Sequence, residues 1–194
     1  MTQAGYLAFL AVLALERVLE LAISRRNTSR ALAAGGREFG RRHYRVMAAF
    51  HTAFLIACAG EVLLLKRPFP GALGLAAFCG ALFAQGLRYW AIATLGDRWN
   101  VRVIVWPDSA PVTHGPYRWI RHPNYVAVIA EMALVPLIHG AYWTALAFSA
   151  GNAALLWVRI RVEEQALGES YSHAFAQRPR FIPRPFGEGR TWHV

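Results

Sequence analysis

Five apolar segments follow one another along this chain, and they constrain the fold more than any other feature of the sequence. They cover residues 5–23, 46–65, 72–95, 126–138 and 141–160. A helix of about 20 apolar residues is long enough to cross the hydrocarbon core of a bilayer. The fourth segment is short for a crossing and contains Glu131 and Pro136, so it predicts a tilted or re-entrant arm. With the fifth segment it predicts a helical hairpin that turns at His139 and Gly140.

The composition is typical of a membrane protein. Hydrophobic residues make up 56% of the 194 residues and charged residues only 16%, which is too apolar for an ordinary soluble domain. We therefore predict an all-α integral membrane protein with about five transmembrane helices. Cys58 and Cys79 both lie inside apolar segments, where small reduced core residues are the common finding.

The formal net charge of +10 raises the question of nucleic-acid binding, and the positions of the charges argue against it. Most basic residues fall in three blocks between apolar segments, and residues 24–45 carry seven arginines against one acid, Glu38. Such blocks mark cytoplasmic loops, and only Lys66 and Arg67 fall on the other side. The pattern predicts a multi-pass protein of the cell membrane with its N-terminus outside, its C-terminus in the cytoplasm, and no nucleic-acid partner.

The segments divide the chain into two parts. Residues 1–95 form three N-terminal transmembrane helices with the basic cytoplasmic loop 24–45 between the first two, where Gly35 and Gly36 interrupt the helical pattern. Residues 96–194 form the second part. It comprises the loop 96–124, the helical hairpin 125–160, and the C-terminal helix and tail 161–194.

Two local patterns add detail to this division. Residues 101–106 alternate weakly and predict a short hairpin arm with Pro107 and Asp108 at its turn. Residues 161–194 predict a charged amphipathic helix followed by a tail rich in proline and arginine.

Polar residues inside the first three apolar segments leave two interpretations open. Glu16, Arg17 and Glu20 lie within about one helical turn of each other. They form a polar stripe turned into the bundle, the headgroup-level end of the helix, or part of a cavity wall. His51 is either a packed histidine or one that faces the bundle interior. Arg88 is either an interfacial anchor or a residue at membrane depth.

The sequence THGPYRWIRHPNY at 113–125 concentrates histidine, arginine and tyrosine between two apolar segments. Pro116 and Pro123 fix their own φ angles and bias the preceding residues away from helix, so the stretch is bent and rigid. Polar groups held between membrane helices are costly unless they bind something. The stretch therefore predicts a site for a charged cofactor at the membrane face.

A second polar cluster follows the fifth apolar segment. Arg159 and Glu163 are one helical turn apart, and Glu164 is next to them. Carboxylates accept hydrogen bonds from hydroxyl or amine groups, and arginine binds carboxylates. The cluster is either one wall of a pocket for a zwitterionic ligand or a salt-bridged helix end at the interface. No cysteine pair or HExxH motif indicates a metal site, and no GxSxG motif, dinucleotide fingerprint or P-loop occurs.

These motifs together resemble the isoprenylcysteine carboxyl methyltransferase family of membrane enzymes, which is related to the phospholipid methyltransferases. The resemblance rests on GPYRWIRHPNY at 115–125, on the arginine, two glutamates and leucine spaced as R-x-x-x-E-E-x-x-L at 159–167, and on Tyr171 downstream. The sequence LGDRWN at 95–100 also looks like a family motif that precedes the loop. The matching motifs cover the C-terminal half of the chain.

The resemblance implies an S-adenosylmethionine-dependent methyltransferase with a cytoplasm-facing cofactor pocket formed by the C-terminal half, under a C-terminal lid. Arg159 matches the family arginine near the anionic group of the acceptor, and Glu163 is placed with it in the catalytic set. Whether Glu163 or Glu164 contacts the cofactor stays open. The residues expected to bind the cofactor are His114, Gly115, Tyr117, Arg121, His122, Pro123, Tyr125, Glu131 and Glu164.

The first half of the chain bears on the methyl acceptor. From residue 25 to residue 51 it looks most like short bacterial members that are encoded beside type III polyketide synthases. This resemblance implies O-methylation of long-chain alkylpyrones or alkylresorcinols, with membrane lipids around the protein. The alternatives are carboxyl methylation of isoprenylcysteine compounds, methylation of phospholipid amines, and a non-enzymatic membrane binder or transporter. The sequence does not predict an oligomeric state.

Overall fold

The computed structural model describes residues 1–106 and 109–183 and is mostly helical, which confirms the helical fold class. Two strands of three residues each and two short 3-10 turns, at Gly96–Arg98 and Gly115–Arg118, accompany the helices. The strands are β1 (Arg37–Phe39) and β2 (Val103–Val105). The helices are α1 (Gln3–Ala33), α2 (Arg41–Leu64), α3 (Ala72–Leu95), α4 (Pro123–Leu137) and α5 (Tyr142–Ala174).

In the part of the chain that the structure describes, two helices are long and apolar enough to cross a membrane: α2, and α3 with the turn that follows it, Ala72–Arg98. The apolar helix α4 is shorter. Large apolar side chains on the outer faces are exposed, among them Leu64 at 83%, Phe83 at 79% and Ile56 at 67%. Apolar surface of this extent is unfavourable in water and is expected where a protein contacts lipid.

The first helix is longer than its apolar segment. Residues 24–33, which the sequence predicts as part of a basic loop, continue α1 as helix. Two buried side chains explain the extension. Asn27 donates from Nδ2 to the carbonyl of Trp99 at 2.8 Å, and Ser24 donates from Oγ to Asn100 Oδ1 at 2.6 Å. These bonds hold α1 against the connection that follows α3, so the helix continues past its apolar residues.

The strand β2 pairs antiparallel with β1, which comes from the connection between α1 and α2. The prediction of a short hairpin arm at 101–106 is therefore wrong about the pairing partner, since the partner is about 65 residues earlier in the chain. The predicted turn at Pro107 and Asp108 lies outside the described residues. The pairing fastens the first connection to the connection 96–122. We call this end of the bundle the loop end.

Small residues allow α3 and α4 to pack closely. A Cβ atom on Gly80 would lie 2.8 Å from Leu134 Cδ1, and one on Gly74 would lie 2.7 Å from the carbonyl oxygen of Ile138. Close approach of helix backbones is how membrane helices gain packing energy. The main core beside this contact comprises Tyr6, Leu10, Leu13, Phe54, Cys58, Val62, Ala77, Ala81, Val128, Met132, Val135, Ile138 and Ala141.

The turn between α4 and α5 lies at the end of the bundle opposite the loop end. Glu61 of α2 accepts a hydrogen bond from the backbone N–H of Thr144 at 2.7 Å and pairs with Arg67 at 2.9 Å. A carboxylate at a helix N-terminus is favourable because it satisfies free N–H groups and opposes the helix dipole. The contact fixes the start of α5 against α2, as the hairpin predicted for residues 125–160 requires.

The last helix, α5, is about 50 Å long at 1.5 Å per residue, and a bilayer core is about 30 Å thick. The part of α5 that begins near Glu163 and Glu164 therefore extends beyond the apolar bundle at the loop end. Gly168 interrupts the helix with φ 71° and ψ −160°, which an L-residue rarely adopts. After this break Tyr171 and Phe175 pack back against the loop end.

Candidate functional site

A cavity of about 1240 Å³ runs from the loop end into the bundle beside α1, α2 and α3. Ligand sites in proteins usually have volumes of about 300–1,000 Å³, so this cavity has room for two ligands. Its deep wall carries Arg17, Glu20, His51 and Arg88. Its wall at the loop end includes Tyr117, Arg121, His122, Tyr125, Arg159, Glu163, Leu167 and Tyr171.

Arg159 lies on the cavity wall with its guanidinium held from two sides. Its Nε donates to the hydroxyl of Tyr125 at 3.0 Å, and its Nη2 donates to the carbonyl of Val101 at 2.9 Å. The Tyr125 hydroxyl donates to Glu163, whose Oε2 lies 3.8 Å from Arg159 Nε. Arg159 is only 5% exposed. The arrangement orients a buried positive charge beside a carboxylate at the cavity surface.

His122 connects the cavity to a surface ion pair. Its Nε2 lies 3.1 Å from Glu164 Oε1, and Arg180 bonds the same carboxylate at 3.0 Å and 2.6 Å. The hydrogen bond from His122, with a further contribution from Arg180, lowers the pKa of Glu164 to about 2. Glu164 is therefore ionised at neutral pH, and it fixes the ring of His122, which stacks on Tyr125 at a centroid distance of 5.3 Å.

The C-terminal tail closes over this part of the site. The backbone N–H of Arg121 donates to the carbonyl of Pro179 at 3.0 Å, and that of His122 donates to the carbonyl of Arg180 at 3.1 Å. The Arg121 side chain also donates from Nε to the carbonyl of Arg178 at 2.7 Å. The tail thus pairs with the motif stretch almost as a strand does. The family resemblance implies a C-terminal lid, and in the structure residues 178–180 of the tail, which lie outside the motifs, make this contact.

Aromatic side chains form the adjoining wall. Tyr117, Tyr171 and Phe175 are buried in one cluster, and the rings of Tyr171 and Phe175 lie 4.5 Å apart. Burial, together with the nearby Glu163 carboxylate, raises the pKa of Tyr117. Its hydroxyl therefore stays protonated and uncharged at neutral pH. This wall offers flat apolar surface with hydroxyl groups, which suits a planar heterocycle.

The turn that presents Tyr117 depends on Gly115. Its φ is +57°, and a Cβ atom there would lie 2.4 Å from Thr94 Oγ1. Glycine thus meets both the backbone conformation and the close approach to α3. The role of Gly115 in the structure is to shape the turn.

Six of the eleven residues predicted from the sequence for the site line the cavity in the structure: Tyr117, Arg121, His122, Tyr125, Arg159 and Glu163. Within residues 1–106 and 109–183, the cavity lining does not include the other five. His114 is exposed, Gly115 and Pro123 shape the backbone, and Glu164 lies behind His122. Glu131 lies in the bundle, 3.6 Å from Arg17.

The structure also brings together residues that the sequence left as separate alternatives. Arg17, Glu20, His51 and Arg88 come from three helices and meet on the deep wall of the cavity. For Arg88, burial excludes the interpretation as an exposed interfacial anchor, because its side chain is only 7% exposed where it pairs with Glu20. The sequence shows that these polar residues lie inside apolar segments, but it does not show which of them contact one another.

Comparisons with known proteins agree with these motifs. Residues 75–169 match the family model described as the isoprenylcysteine carboxyl methyltransferase (ICMT) family. The protein YpbQ of Bacillus subtilis, described as uncharacterized, is 43% identical over 161 residues, which are 82% of this chain and 95% of YpbQ. An uncharacterized protein of Haemophilus influenzae is 29% identical over 172 residues, 87% of this chain and 95% of that protein.

The family match runs from α3 to the break in α5 at Gly168 and so covers most of the elements that build the loop-end wall of the cavity. It does not include the residues after that break, such as Tyr171 and Phe175. The match with YpbQ extends over most of the chain. The family consists of membrane methyltransferases that use S-adenosylmethionine. This chain belongs to the isoprenylcysteine carboxyl methyltransferase family.

Proposed function

We propose that this protein is a membrane-embedded, S-adenosylmethionine-dependent O-methyltransferase that acts on a lipophilic small molecule of the alkylpyrone or alkylresorcinol type. One observation carries the proposal. A single cavity joins the family's motif residues at the loop end to apolar side chains between α1 and α2. A cofactor in water and an acceptor dissolved in lipid can meet in such a cavity.

The loop-end wall fits the cofactor in its chemistry. S-adenosylmethionine supplies an electrophilic methyl group on a positively charged sulfur, and it also carries a planar base, a ribose and a zwitterionic amino acid. Tyr117, Tyr171 and Phe175 offer aromatic surface for the base. The Glu163 carboxylate suits positive charge or ribose hydroxyls, and Arg121 suits the carboxylate. In this proposal His122 and Tyr125 complete the cofactor wall.

In the proposal, Arg159 binds the methyl acceptor. Its Nε and Nη2 bond Tyr125 and Val101, which fixes the guanidinium so that the remaining Nη1 can bind an acceptor oxygen. A fixed positive charge stabilises an oxyanion, and in this proposal the acceptor hydroxyl passes its proton to the carboxylate of Glu163 on the same wall. Alignment of the acceptor oxygen with the methyl group then contributes the rest of the acceleration.

The tail and the break in α5 exclude water in this account. The stretch 178–181 covers His122, and the residues after Gly168 bring Tyr171 over the same region. Excluding water strengthens the charge interactions inside a site and protects the methyl donor. We place this site on the cytoplasmic side of the cell membrane, because the basic blocks lie at the same end of the bundle.

The acceptor reaches the site from the lipid in this proposal. Val18 and Leu21 of α1 and Leu55 and Ile56 of α2 line the cavity. Val18 is 61% and Ile56 is 67% exposed, so the same side chains also face the surroundings of the bundle. An alkyl tail that passes between α1 and α2 stays in contact with apolar groups along its length.

The test is methyl transfer by the purified protein in lipid vesicles, from radiolabelled S-adenosylmethionine to pentadecylresorcinol and to extracted bacterial lipids. Arg159→Gln is compared with Arg161→Gln, a matched control whose guanidinium packs on Trp157 at 4.1 Å and lies outside the main cavity lining. We expect a base-stable methyl ether from wild type and Arg161→Gln, and a loss of about 100-fold or more in Arg159→Gln.

Other products would point to the alternatives. A base-labile methyl ester on an isoprenylcysteine compound would replace the polyketide acceptor with a carboxylate. Label on a phospholipid amine would indicate N-methylation. Cofactor binding without transfer to any of these pools would contradict the enzymatic function and favour a membrane binder or transporter.

A further inference from the structure

Four helices place polar side chains at a similar depth along the bundle, well away from the loop end. Arg88 lies seven residues before the end of α3 and Glu131 eight residues after the start of α4, so both are about 10–12 Å from the loop end. We call this group the polar layer. It comprises Glu16, Arg17, Glu20, His51, Gln85, Arg88, Tyr89 and Glu131.

The polar layer is held together by charge. Arg88 binds Glu20 through both Nε and Nη2, at 2.7 Å and 2.6 Å. Arg17 donates to Glu20 at 2.9 Å and lies 3.6 Å from Glu131. Gln85 links the group to Glu16 at 2.5 Å. Buried ion pairs of this kind rarely add stability over apolar packing, so a functional reason for the layer is needed.

The layer has hydrogen-bonding capacity that the protein does not use. Among the described residues, Arg88 Nη1 finds no hydrogen-bond acceptor although Arg88 is only 6% exposed. His51 Nδ1 lies 2.9 Å from the carbonyl of Met47, which can only accept, so Nδ1 carries the hydrogen of the neutral ring. Nε2 of His51 is then an acceptor. Arg88 and His51 both line the cavity.

The charge of the layer limits what can bind there. It contains the two positive charges of Arg17 and Arg88 and three carboxylates, those of Glu16, Glu20 and Glu131. A further anion would face an excess of negative charge. A hydroxyl group is neutral, accepts a hydrogen bond through its oxygen and donates one through its hydrogen. A hydroxyl therefore has the chemistry to accept from Arg88 Nη1 and to donate to His51 Nε2, which line the same cavity.

We infer that the polar layer binds a free hydroxyl group of the methyl acceptor, distinct from the oxygen that receives the methyl group. Arg88 and His51 are the specificity-determining residues of this subsite. The inference rests on the proposed function and narrows its acceptor to the alkylresorcinol type, whose ring carries two hydroxyl groups and an alkyl tail. Arg88 and His51 lie deep in the cavity and outside the motifs at the loop end, and their role is to recognise the acceptor.

The test is equilibrium binding of two probes to the protein in vesicles saturated with S-adenosylhomocysteine. Pentadecylresorcinol carries two hydroxyl groups, and pentadecylphenol carries one on an otherwise equal ring and tail. We expect wild type to bind the resorcinol about tenfold more tightly. We expect His51→Phe to lose that preference, because it weakens the binding of pentadecylresorcinol but not the binding of pentadecylphenol. His43→Phe is the matched control, because His43 is on the same helix but outside the cavity lining.

Equal binding of the two probes by wild type would overturn the inference, and so would a preference that survives in His51→Phe. Binding of S-adenosylhomocysteine in each variant shows that the loop end is folded. Methyl transfer to the same probes is measured in parallel. Tighter binding of pentadecylresorcinol without methyl transfer would support the subsite and contradict the proposed reaction. Methyl transfer with equal binding of the two probes would support the reaction and contradict the subsite.

Discussion

The two ends of the cavity are built in different ways. The loop-end wall takes its side chains from the connection after α3, at 95–106 and 109–112, and from the two stretches that contain the motifs, 117–125 and 159–171. The polar layer takes its members from four helices, with residues as far apart as Glu16 and Glu131, and its central pair, Arg88 and Glu20, is buried in the bundle. Motifs in the sequence can therefore identify much of the loop-end wall, whereas only the packing of helices brings the members of the polar layer together.

The difference extends to the strength of the charge interactions. In the polar layer, the side chains of Arg88 and Glu20 are 7% and 8% exposed. At the loop end, Arg180 is 49% exposed where it pairs with Glu164. Water screens the second pair and hardly reaches the first. Substitutions in the two places should differ in size accordingly.

The largest effect is expected from Arg88→Met, which leaves Glu20 buried without its bidentate partner. We expect the free energy of unfolding in detergent to fall by about 3–5 kcal/mol. The double variant Arg88→Met/Glu20→Met removes both charges and should recover most of that loss. If the double variant were as unstable as the single one, the ion pair would not be the cause, and the contrast between the two ends would disappear.

Gly115→Ala tests the turn that builds the loop end. The positive φ and the contact with Thr94 predict a loss of about 1–3 kcal/mol together with weaker cofactor binding. Gly86→Ala is the matched control, since it lies in α3 with no atom within 4 Å of the added Cβ. It should be neutral or stabilising by about 0.5–1 kcal/mol. Equal behaviour of the two variants would argue against a constrained turn.

A smaller, pH-dependent effect is expected from Glu164. Its pKa is about 2 in the folded protein and about 4.5 in the unfolded chain, so the unfolded state binds the proton more readily. Its contribution to stability is complete above about pH 4.5 and is lost as the pH falls towards 2. Solvent screening limits it to about 1–2 kcal/mol. Glu164→Gln should remove this pH dependence, measured as unfolding free energy against pH; an unchanged profile would contradict the assignment.

The smallest effect is expected where a salt bridge is fully at the surface. Asp97 pairs with Arg26 at 3.4 Å and Arg30 at 2.9 Å, and all three side chains are at least half exposed. We expect Asp97→Asn to change the unfolding free energy by no more than about 0.5 kcal/mol, and less in high salt. A loss comparable with that of Arg88→Met would mean that burial does not set the size of these effects.

The sequence predicts the parts of this molecule whose residues are close together or periodic. Apolar segments locate the helices, and the spacing of Arg159 and Glu163 places them on one face of α5. The family assignment is confirmed. Most of the motif residues do meet on one wall, although their roles toward cofactor and acceptor stay predictions.

The parts that the sequence does not predict depend on distant partners. The extension of α1 through residue 33 follows from the bond of Asn27 to Trp99, and the pairing of β2 with β1 joins two connections. Glu131 was placed at the cofactor by family resemblance, yet it lies beside Arg17 because α4 packs against the bundle at that depth. Neither the partner nor the depth is contained in a local pattern.

The central claim is that one cavity holds the cofactor at the loop end and the acceptor across α1 and α2. The most direct test is the affinity of S-adenosylhomocysteine for the purified protein in vesicles, compared among wild type, Tyr117→Ala and Leu55→Trp. The account predicts binding by wild type, an affinity about tenfold or more weaker in Tyr117→Ala, and one within about twofold of wild type in Leu55→Trp, which fills only the acceptor side. Equal loss in both variants, or no binding by wild type, would contradict it.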